Sequence, residues 1–455
     1  MHLHVLGIGG TFMSALAIIA QESGFKVTGS DANCYPPVSD LLRDKGIIWT
    51  EGYDDDTDML AADCVIVGNA IKRGMPVVES MLSAKKPYIS GPEWLYDVVL
   101  SKRRVIAVAG THGKTTTTCM LAHILDKAGA NPGFLIGGVA PNFNTSARIG
   151  KGEWFVIEAD EYDTAFFDKR PKFMHYRPEV AILNNLEFDH ADIYANLDAI
   201  KLQFQYFLRT IPPQGTVLKP LTDAAINEVI TRGQFCRVES FSSNAPCDWE
   251  ARLEHDSGTV FSVYYRLQKV GTVTWDVIGR FNVENALAAI AASHKAGVSV
   301  EAACEALKSF KPVKRRLEVK AIHREITLYD DFAHHPTAIA KTIEALKRSA
   351  RHQRILVVLE FASNTMKMGI NADMMANALN LVDGAYILKP SGFDVEMVAK
   401  NWKCPYFILN TTDEIIDGIM KEAKPNDAIL IMSNKGFENI HQRMSERFLR
   451  EKVSS

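Results

Sequence analysis

A glycine turn between an apolar segment and a helical pattern is the clearest chemical feature of the sequence. Residues 105–109 (Val-Ile-Ala-Val-Ala) predict a buried strand, and residues 110–118 read Gly-Thr-His-Gly-Lys-Thr-Thr-Thr-Thr. The backbone N–H groups of such a turn, with the positive end of the following helix, form an anion site. Lys114 can reach the terminal phosphates of a nucleotide, and Thr115 can offer its hydroxyl to Mg²⁺. Since Val108 occupies a position that is glycine in the longer pattern, the turn is the shorter G-x-x-G-K-T form.

Acidic and imidazole groups follow two further predicted strands. Glu158 stands at the carboxyl end of residues 154–157, and His190 comes after residues 180–183. In a parallel sheet these ends meet on the ligand side, so both side chains can face the terminal phosphate. A second cation fits there, because phosphate and carboxylate oxygens crowd together. Thr115, Glu158 and His190 are therefore the candidate metal ligands.

These groups do not yet name a reaction. A kinase, an NTPase motor and a ligase all remain open. Asp160, Glu161 and Asp163, which follow Glu158 directly, fit a solvated acidic loop about as well as they fit a site.

A second glycine turn lies at the start of the chain. Residues 3–6 predict a strand that enters Gly-Ile-Gly-Gly at residues 7–10, and Asp31 follows a second predicted strand. Dinucleotide sites have this pattern, but Phe12 replaces their third glycine and no second redox motif is present, which disfavours a dehydrogenase. The same turn can hold the pyrophosphate of a nucleotide sugar at a helix N-terminus. The candidate substrate contacts here are Gly7, Gly9, Gly10, Ser30, Asp31 and Asn69, although capping and turn roles fit the last three nearly as well.

Composition restricts the class of protein. With 455 residues the chain is expected to form about three domains. The 51 basic and 54 acidic residues give a net charge of -3, which disfavours nucleic-acid and anionic-membrane partners. No apolar run approaches the roughly 18 residues of a membrane span, and the N-terminus lacks a secretion signal. The seven scattered cysteines form no C-x-x-C pair, so neither a disulfide framework nor a structural zinc site is expected. We expect a cytoplasmic protein.

Strand and helix patterns alternate along the whole chain. Such alternation predicts an α/β fold with mainly parallel sheets. Basic segments at residues 101–104 and 312–316 precede new strands and are the expected boundaries. The predicted domains are residues 1–103, 104–312 and 313–455.

Six motifs in sequence order resemble the Mur ligase family along nearly the whole chain: GTHGKTTTT, EADE, NNLEFDH, GRFNVENA, KRRLEV and DDFAHHP. The resemblance implies an N-terminal Rossmann-like UDP-binding domain, a central P-loop ATPase-like domain with a mainly parallel sheet, and a C-terminal Rossmann-like domain that brings the amine substrate. It also implies an ATP- and Mg²⁺-dependent ligase that activates a carboxylate as an acyl phosphate and forms an amide bond.

The resemblance implies roles for single residues. Lys114 would bind the β- and γ-phosphates, Thr115 and Glu158 one magnesium, and His190 a second. The implied catalytic residues are Lys114, Glu158, His190 and Arg316. The implied ATP contacts are Gly110, Thr111, His112, Gly113, Lys114, Thr115, Thr116, Asn282, Asn285, Arg316, Asp331 and His334.

Three segments bear on the substrate. Some family members carry a carbamylated lysine beyond the residue matching His190, and residues 201–205 (Lys-Leu-Gln-Phe-Gln) place none convincingly, which favours the branches that accept UDP-N-acetylmuramate. Residues 361–369, with SNTMK, and 432–437, MSNKGF, resemble the branch that joins L-alanyl-γ-D-glutamyl-meso-diaminopimelate to this acceptor in peptidoglycan recycling. Candidate contacts with the peptide carboxylates are Asn364, Lys367, Lys435 and His441.

Two alternatives remain. The first is the family branch that adds L-alanine to the same acceptor. The second is an ATP-driven binding protein or ATPase, which would hydrolyse ATP without needing a carboxylate or an amine. The expected partners are UDP-N-acetylmuramate and the murein tripeptide, with no nucleic acid and no membrane, and the chain is expected to be a monomer.

Overall fold

The first part of the chain folds into a five-stranded parallel sheet flanked by helices. The computed structural model describes residues 1–361, 372–390, 392 and 394–450. The strands are β1 (His2–Leu6), β2 (Lys26–Asp31), β3 (Ile48–Glu51), β4 (Cys64–Val67) and β5 (Tyr88–Ser90). The helices are α1 (Thr11–Glu22), α2 (Val38–Asp44), α3 (Thr57–Ala61), α4 (Pro76–Ser83) and α5 (Gly91–Val98). The strand order β3-β2-β1-β4-β5 reverses between β1 and β4, and ligands bind at the carboxyl ends of strands at such a point.

The middle part contains a ten-stranded sheet in the order β17-β16-β15-β14-β13-β12-β6-β9-β7-β8. Its strands, with a separate β10–β11 hairpin, are β6 (Arg104–Ala109), β7 (Gly133–Ala140), β8 (Thr145–Arg148), β9 (Trp154–Ala159), β10 (Asp163–Ala165), β11 (Asp168–Pro171), β12 (Val180–Leu183), β13 (Thr216–Pro220), β14 (Arg237–Ser242), β15 (Trp249–Leu253), β16 (Val260–Tyr265) and β17 (Gln268–Thr274). The β7–β8, β15–β16 and β16–β17 pairs are antiparallel and the other neighbours in the ten-stranded sheet are parallel.

Five helices cover this sheet: α6 (Lys114–Lys127), α7 (Leu197–Leu208), α8 (Ala224–Arg232), α9 (Arg280–Lys295) and α10 (Val300–Leu307). Helix α6 is buried on every side from its first residue to Leu125, because it packs between the sheet and α9. A helix buried all round holds its N-terminus in one place. The glycine turn before α6 therefore has a rigid support.

The described residues of the last part form a six-stranded sheet in the order β18-β19-β23-β20-β21-β22, in which β18 and β19 are antiparallel and the other neighbours are parallel. Its strands are β18 (Glu318–His323), β19 (Ile326–Asp331), β20 (Arg354–Glu360), β21 (Gly384–Leu388), β22 (Tyr406–Leu409) and β23 (Asp427–Met432). The described helices are α11 (Pro336–Ser349), α12 (Ala372–Leu379), α13 (Val395–Ala399), α14 (Thr412–Glu422) and α15 (Ile440–Arg450).

The predicted α/β fold with mainly parallel sheets is confirmed. The core is continuous between the first two parts, because apolar side chains of α1 belong to the same buried cluster as Leu135 of β7 and Ala107 of β6. This packing fixes the first sheet against the middle one. Across the described part of the chain, no helix combines the length and apolar character of a membrane-spanning segment.

Candidate active site

The glycine turn joins β6 to α6 as the sequence predicts. Gly110 and Gly113 have φ angles of +128° and +81°, a backbone region that L side chains rarely adopt. A Cβ atom on Gly113 would lie 2.6 Å from Asn285 Oδ1 and 2.8 Å from Asn184 Nδ2. The turn is thus held between α9 and the end of β12. Its shape depends on the absence of side chains at Gly110 and Gly113.

We expect Gly113→Ala to lower the affinity for ATP at least about tenfold. The backbone must move to relieve both contacts, and its N–H groups would then no longer point at the phosphates. Titration calorimetry with a non-hydrolysable ATP analogue measures this. Gly129→Ala is a matched control at the other end of α6, since Gly129 has a φ of +80° and no atom within 4 Å of an added Cβ. It is expected to cost about 1 kcal/mol of stability and leave ATP affinity unchanged. Equal affinities of the two variants would contradict the assignment of the turn.

Lys114 is the centre of a buried charged group. Its Nζ donates to the Gly110 carbonyl at 2.7 Å and to Glu161 Oε2 at 3.0 Å, and the other oxygen of Glu161 lies 3.0 Å from His190 Nε2. Burial alone lowers the pKa of Lys114, but the charges of Glu161, Asp160 and Glu158 outweigh it and raise that pKa above its ordinary value. Burial also opposes the charge on His190, and its hydrogen bond to Glu161 nevertheless raises the pKa of the imidazole. Glu161 therefore connects the phosphate turn with His190.

Glu158 lies on the other side of the turn. Its Oε1 accepts from Thr115 Oγ1 at 3.0 Å and its Oε2 accepts from the Gly137 N–H at 2.8 Å. Burial raises the pKa of this carboxyl, and the nearby Lys114 charge only partly offsets it. A half-buried carboxylate with a raised pKa beside a hydroxyl is suited to a cation, which would favour its charged form.

The three acids after Glu158 differ in environment. Glu161 is 2% exposed, so the solvated-loop alternative is wrong for it. Asp160 pairs with Lys172 at 2.9 Å and Asp163 with Lys169. Ligand atoms of Asp160, Glu161 and His190 lie within 4.8 Å of one another, a spacing that one metal ion could bridge.

A smaller cavity opens on the other side of the turn, between the middle and last parts of the chain. The predicted nucleotide contacts that line it are His112, Gly113, Thr116, Asn282, Asn285, Arg316 and Asp331. Asn282 Nδ2 donates to the Ile278 carbonyl at 2.8 Å, and Asn285 Nδ2 donates to Asn282 Oδ1 at 3.5 Å. Hydrogen bonds therefore link these two side-chain amides on α9.

Asp331 ends β19 with both oxygens engaged. They accept from the Leu317 and Ala333 N–H groups at 2.7 Å each, and burial raises the pKa of the carboxyl although Arg316 opposes this. Arg316 lies 5.1 Å from the Phe332 ring and borders this cavity and the larger one described next.

One large cavity runs from the N-terminal glycine turn to the last part of the chain. Its lining includes Gly7, Gly9, Gly10, Asp31, Asn69, Thr111, Lys114, Thr115, Glu158, His190, Arg316 and His334. The turn after β1 and Asn69 after β4 lie at the switch point of the first sheet, and Lys114, Glu158 and His190 lie at the carboxyl ends of the middle one. The structure therefore brings most predicted contacts into a single space.

Two of the predicted substrate contacts have other partners. Ser30 is fully buried and bonds to His4 Nε2 at 2.9 Å, so it does not line the cavity. Asp31 accepts from the Gly9 and Asn33 N–H groups at 2.8 Å each and thereby fixes the turn, although it also borders the cavity. Gly110 supports the turn without lining either cavity.

The predicted peptide contacts are less well placed. Asn364 and Lys367 lie outside the described residues. The Lys435 carbonyl accepts from Arg315 at 2.7 Å, and His441 lies 3.4 Å from Asp330. Lys201, the lysine in the segment considered for carbamylation, lies on α7, pairs with Glu228 of α8 at 2.6 Å and does not border the large cavity.

Sequence reasoning missed two polar groups. Lys172 borders the large cavity, and no motif marked it. Glu187, inside the NNLEFDH motif, contacts the last part of the chain: its Oε2 accepts from Thr337 Oγ1 at 2.7 Å and lies 3.3 Å from His335 Nδ1. The same oxygen lies 3.5 Å from Nε2 of His112, whose pKa burial lowers to about 4 and which is therefore neutral at pH 7.

Three family models match successive parts of the chain. Residues 2–103 match "Mur ligase family, catalytic domain", residues 108–293 match "Mur ligase middle domain", and residues 315–435 match "Mur ligase, glutamate ligase domain". These are the three parts that carry the three sheets.

Several proteins resemble the chain over nearly its whole length. UDP-N-acetylmuramate–L-alanyl-γ-D-glutamyl-meso-2,6-diaminoheptandioate ligases of Haemophilus influenzae and Escherichia coli are 47% and 46% identical, covering 98% of this chain and 99% and 97% of theirs. A UDP-N-acetylmuramate–L-alanine ligase of Caldanaerobacter subterraneus is 31% identical, over 99% of this chain and 97% of its own. The crystal structure of a murein peptide ligase from Psychrobacter arcticus has a TM-score of 0.76 at 44% identity and covers 98% of both chains. With its three matched parts and its phosphate turn in place, the chain belongs to the Mur ligase family of ATP-dependent ligases.

Proposed function

We propose that this chain uses ATP to join UDP-N-acetylmuramate to L-alanyl-γ-D-glutamyl-meso-diaminopimelate through an amide bond. The relatives at 46% and 47% identity are named for this reaction, whereas the relative named for L-alanine addition is 31% identical. The observation that carries the proposal is the large cavity, because it joins a glycine turn suited to a nucleotide sugar with Lys114, Glu158 and His190.

The residues at the phosphate turn would position the reacting groups. The acceptor carboxylate attacks the γ-phosphorus of ATP, which gives an acyl phosphate and ADP; the peptide amine then attacks the acyl carbon and phosphate leaves. Lys114, held by Gly110 and Glu161, would offset charge on the transferring phosphoryl group. Asn282, Asn285 and Asp331 line the smaller cavity and would hold the nucleoside.

Mg²⁺ fits the groups around Lys114. Thr115 and Glu158 would hold one ion and His190 a second, with Asp160 and Glu161 beside His190, and these groups are rich in oxygen donors, as Mg²⁺ prefers. Bound Mg²⁺ would neutralise charge on the phosphate oxygens.

Glu187 would help to exclude water from the acyl phosphate, because it holds the start of α11 against the phosphate turn.

We place the domain boundaries near residues 103 and 312, just before β6 and before Arg316 and β18. We further propose that the protein acts as a monomer. We also propose that it acts in the cytoplasm.

A product assay tests the proposal. The protein is incubated with ATP, Mg²⁺ and UDP-N-acetylmuramate, and with L-alanine, the dipeptide, the tripeptide or the tetrapeptide in turn, and products are weighed by mass spectrometry. We expect the tripeptide to react at least about a hundredfold faster than L-alanine, measured as kcat/KM. A preference for free L-alanine would support the L-alanine ligase alternative. Steady ADP release without the sugar nucleotide would support an ATPase instead.

A further inference from the structure

Lys172 is a buried lysine that borders the large cavity. It begins the short 3₁₀ turn after β11, its backbone N–H donates to the Tyr162 carbonyl at 3.0 Å, and its side chain is 9% exposed. Its Nζ lies 5.6 Å from the ring centre of Phe12 and 5.7 Å from that of Tyr162. A lysine is seldom buried this far without a partner for its charge.

The hydrogen bonding of the Lys172 ammonium group is incomplete. Nζ donates to Asp160 Oδ2 at 2.9 Å, and this is the one hydrogen bond that its ammonium group makes within the described part of the chain. An ammonium group has three N–H donors, and a buried donor that stays unpaired costs free energy. Because Lys172 borders the cavity, an anionic group placed there could accept the remaining bonds.

The position of Lys172 indicates which anion this is. Phe12 belongs to the first turn of α1, directly after the glycine turn suited to a pyrophosphate. Asp160, its hydrogen-bond partner, lies 3.9 Å from Lys114 of the phosphate turn. Lys172 therefore lies between the two ends of the cavity. A carboxylate that must approach the γ-phosphate has to cross this space, and a positive charge there would offset the repulsion between the two anions.

We propose that Lys172 binds the carboxylate of the nucleotide sugar and holds it for attack on the γ-phosphate. This inference rests on the proposed function and deepens it. Lys172 is a substrate-binding residue that selects acceptors bearing a carboxylate on the sugar.

The test compares UDP-N-acetylmuramate with UDP-N-acetylglucosamine, which lacks the lactyl group that carries the carboxylate. Lys172→Gln removes the charge while its amide can still donate to Asp160. We expect this variant to bind UDP-N-acetylmuramate about ten- to a hundredfold more weakly in titration calorimetry and to bind UDP-N-acetylglucosamine as the wild type does. Lys172→Arg keeps the charge and is expected to retain affinity for UDP-N-acetylmuramate within about tenfold.

Lys169→Gln is the matched control, because Lys169 lies on β11, three residues before Lys172, but its side chain is 68% exposed. It is expected to bind both ligands like the wild type. Equal weakening of both ligands by Lys172→Gln would place Lys172 at the pyrophosphate or in a structural role and overturn the inference, as would unchanged binding of both. Failure of the wild-type protein to bind UDP-N-acetylmuramate would instead overturn the proposed function.

Discussion

Replacing Lys114 with methionine is expected to lower the rate of amide formation by about a thousandfold or more. The side chain would keep its apolar stem but lose the charge that faces the transferring phosphoryl group, and preorganised charges of this kind dominate phosphoryl transfer. The rate of ADP release with saturating UDP-N-acetylmuramate and tripeptide measures the effect.

Lys127→Met is the control for this change, because Lys127 lies in the last turn of the same helix and is exposed. It should retain wild-type turnover. Activity in Lys114→Met within tenfold of the wild type would remove the phosphate turn from the mechanism. Thermal unfolding of both variants separates the effect on chemistry from the loss of the buried partner of Glu161.

Replacing Glu161 with glutamine is expected to destabilise the protein by about 3 kcal/mol. Glu161 is buried and holds both Lys114 and His190, and removing one member of a buried charged group leaves the others without compensation. The same change should reduce turnover, because Lys114 loses a charged partner that helps to orient it. Chemical denaturation followed by tryptophan fluorescence measures the change in stability.

The exposed pair Glu305–Lys308 at the end of α10 is the control for this change. Their side chains are 70% and 51% exposed, and such pairs contribute little. Glu305→Gln is therefore expected to change stability by less than about 0.5 kcal/mol. If both glutamine variants unfold at the same denaturant concentration, the buried group contributes no more than a surface pair.

Several strands and the phosphate turn were predictable from the sequence. Long apolar runs with clear ends gave the strands Val180–Leu183 and Tyr406–Leu409 with the bounds that the structure has. The phosphate turn was predictable because strand, glycines, lysine and helix follow one another without interruption. Such patterns are predictable because they involve only residues that are adjacent in the sequence.

The residues that were missed depend on contacts that the sequence does not display. Glu187 meets Thr337 across 150 positions, and neither residue carries a local signal for the other. Lys172 follows Asp160 by 12 positions across a hairpin that was not predicted. The burial of Ser30 was predictable, because side chains along a strand alternate between the two faces of the sheet. Ser30 shares a face with Thr28, and both hydroxyls bond to the buried His4.

The contact of Glu187 with His112 and with the start of α11 has a thermodynamic consequence. If this arrangement is favoured when ATP occupies the phosphate turn, then ATP favours the docked position of the C-terminal domain. Linkage requires the reverse to hold by the same factor: whatever stabilises docking, including a peptide bound to that domain, must tighten ATP to an equal degree. The affinities of the two substrates would then both depend on one shared docking equilibrium.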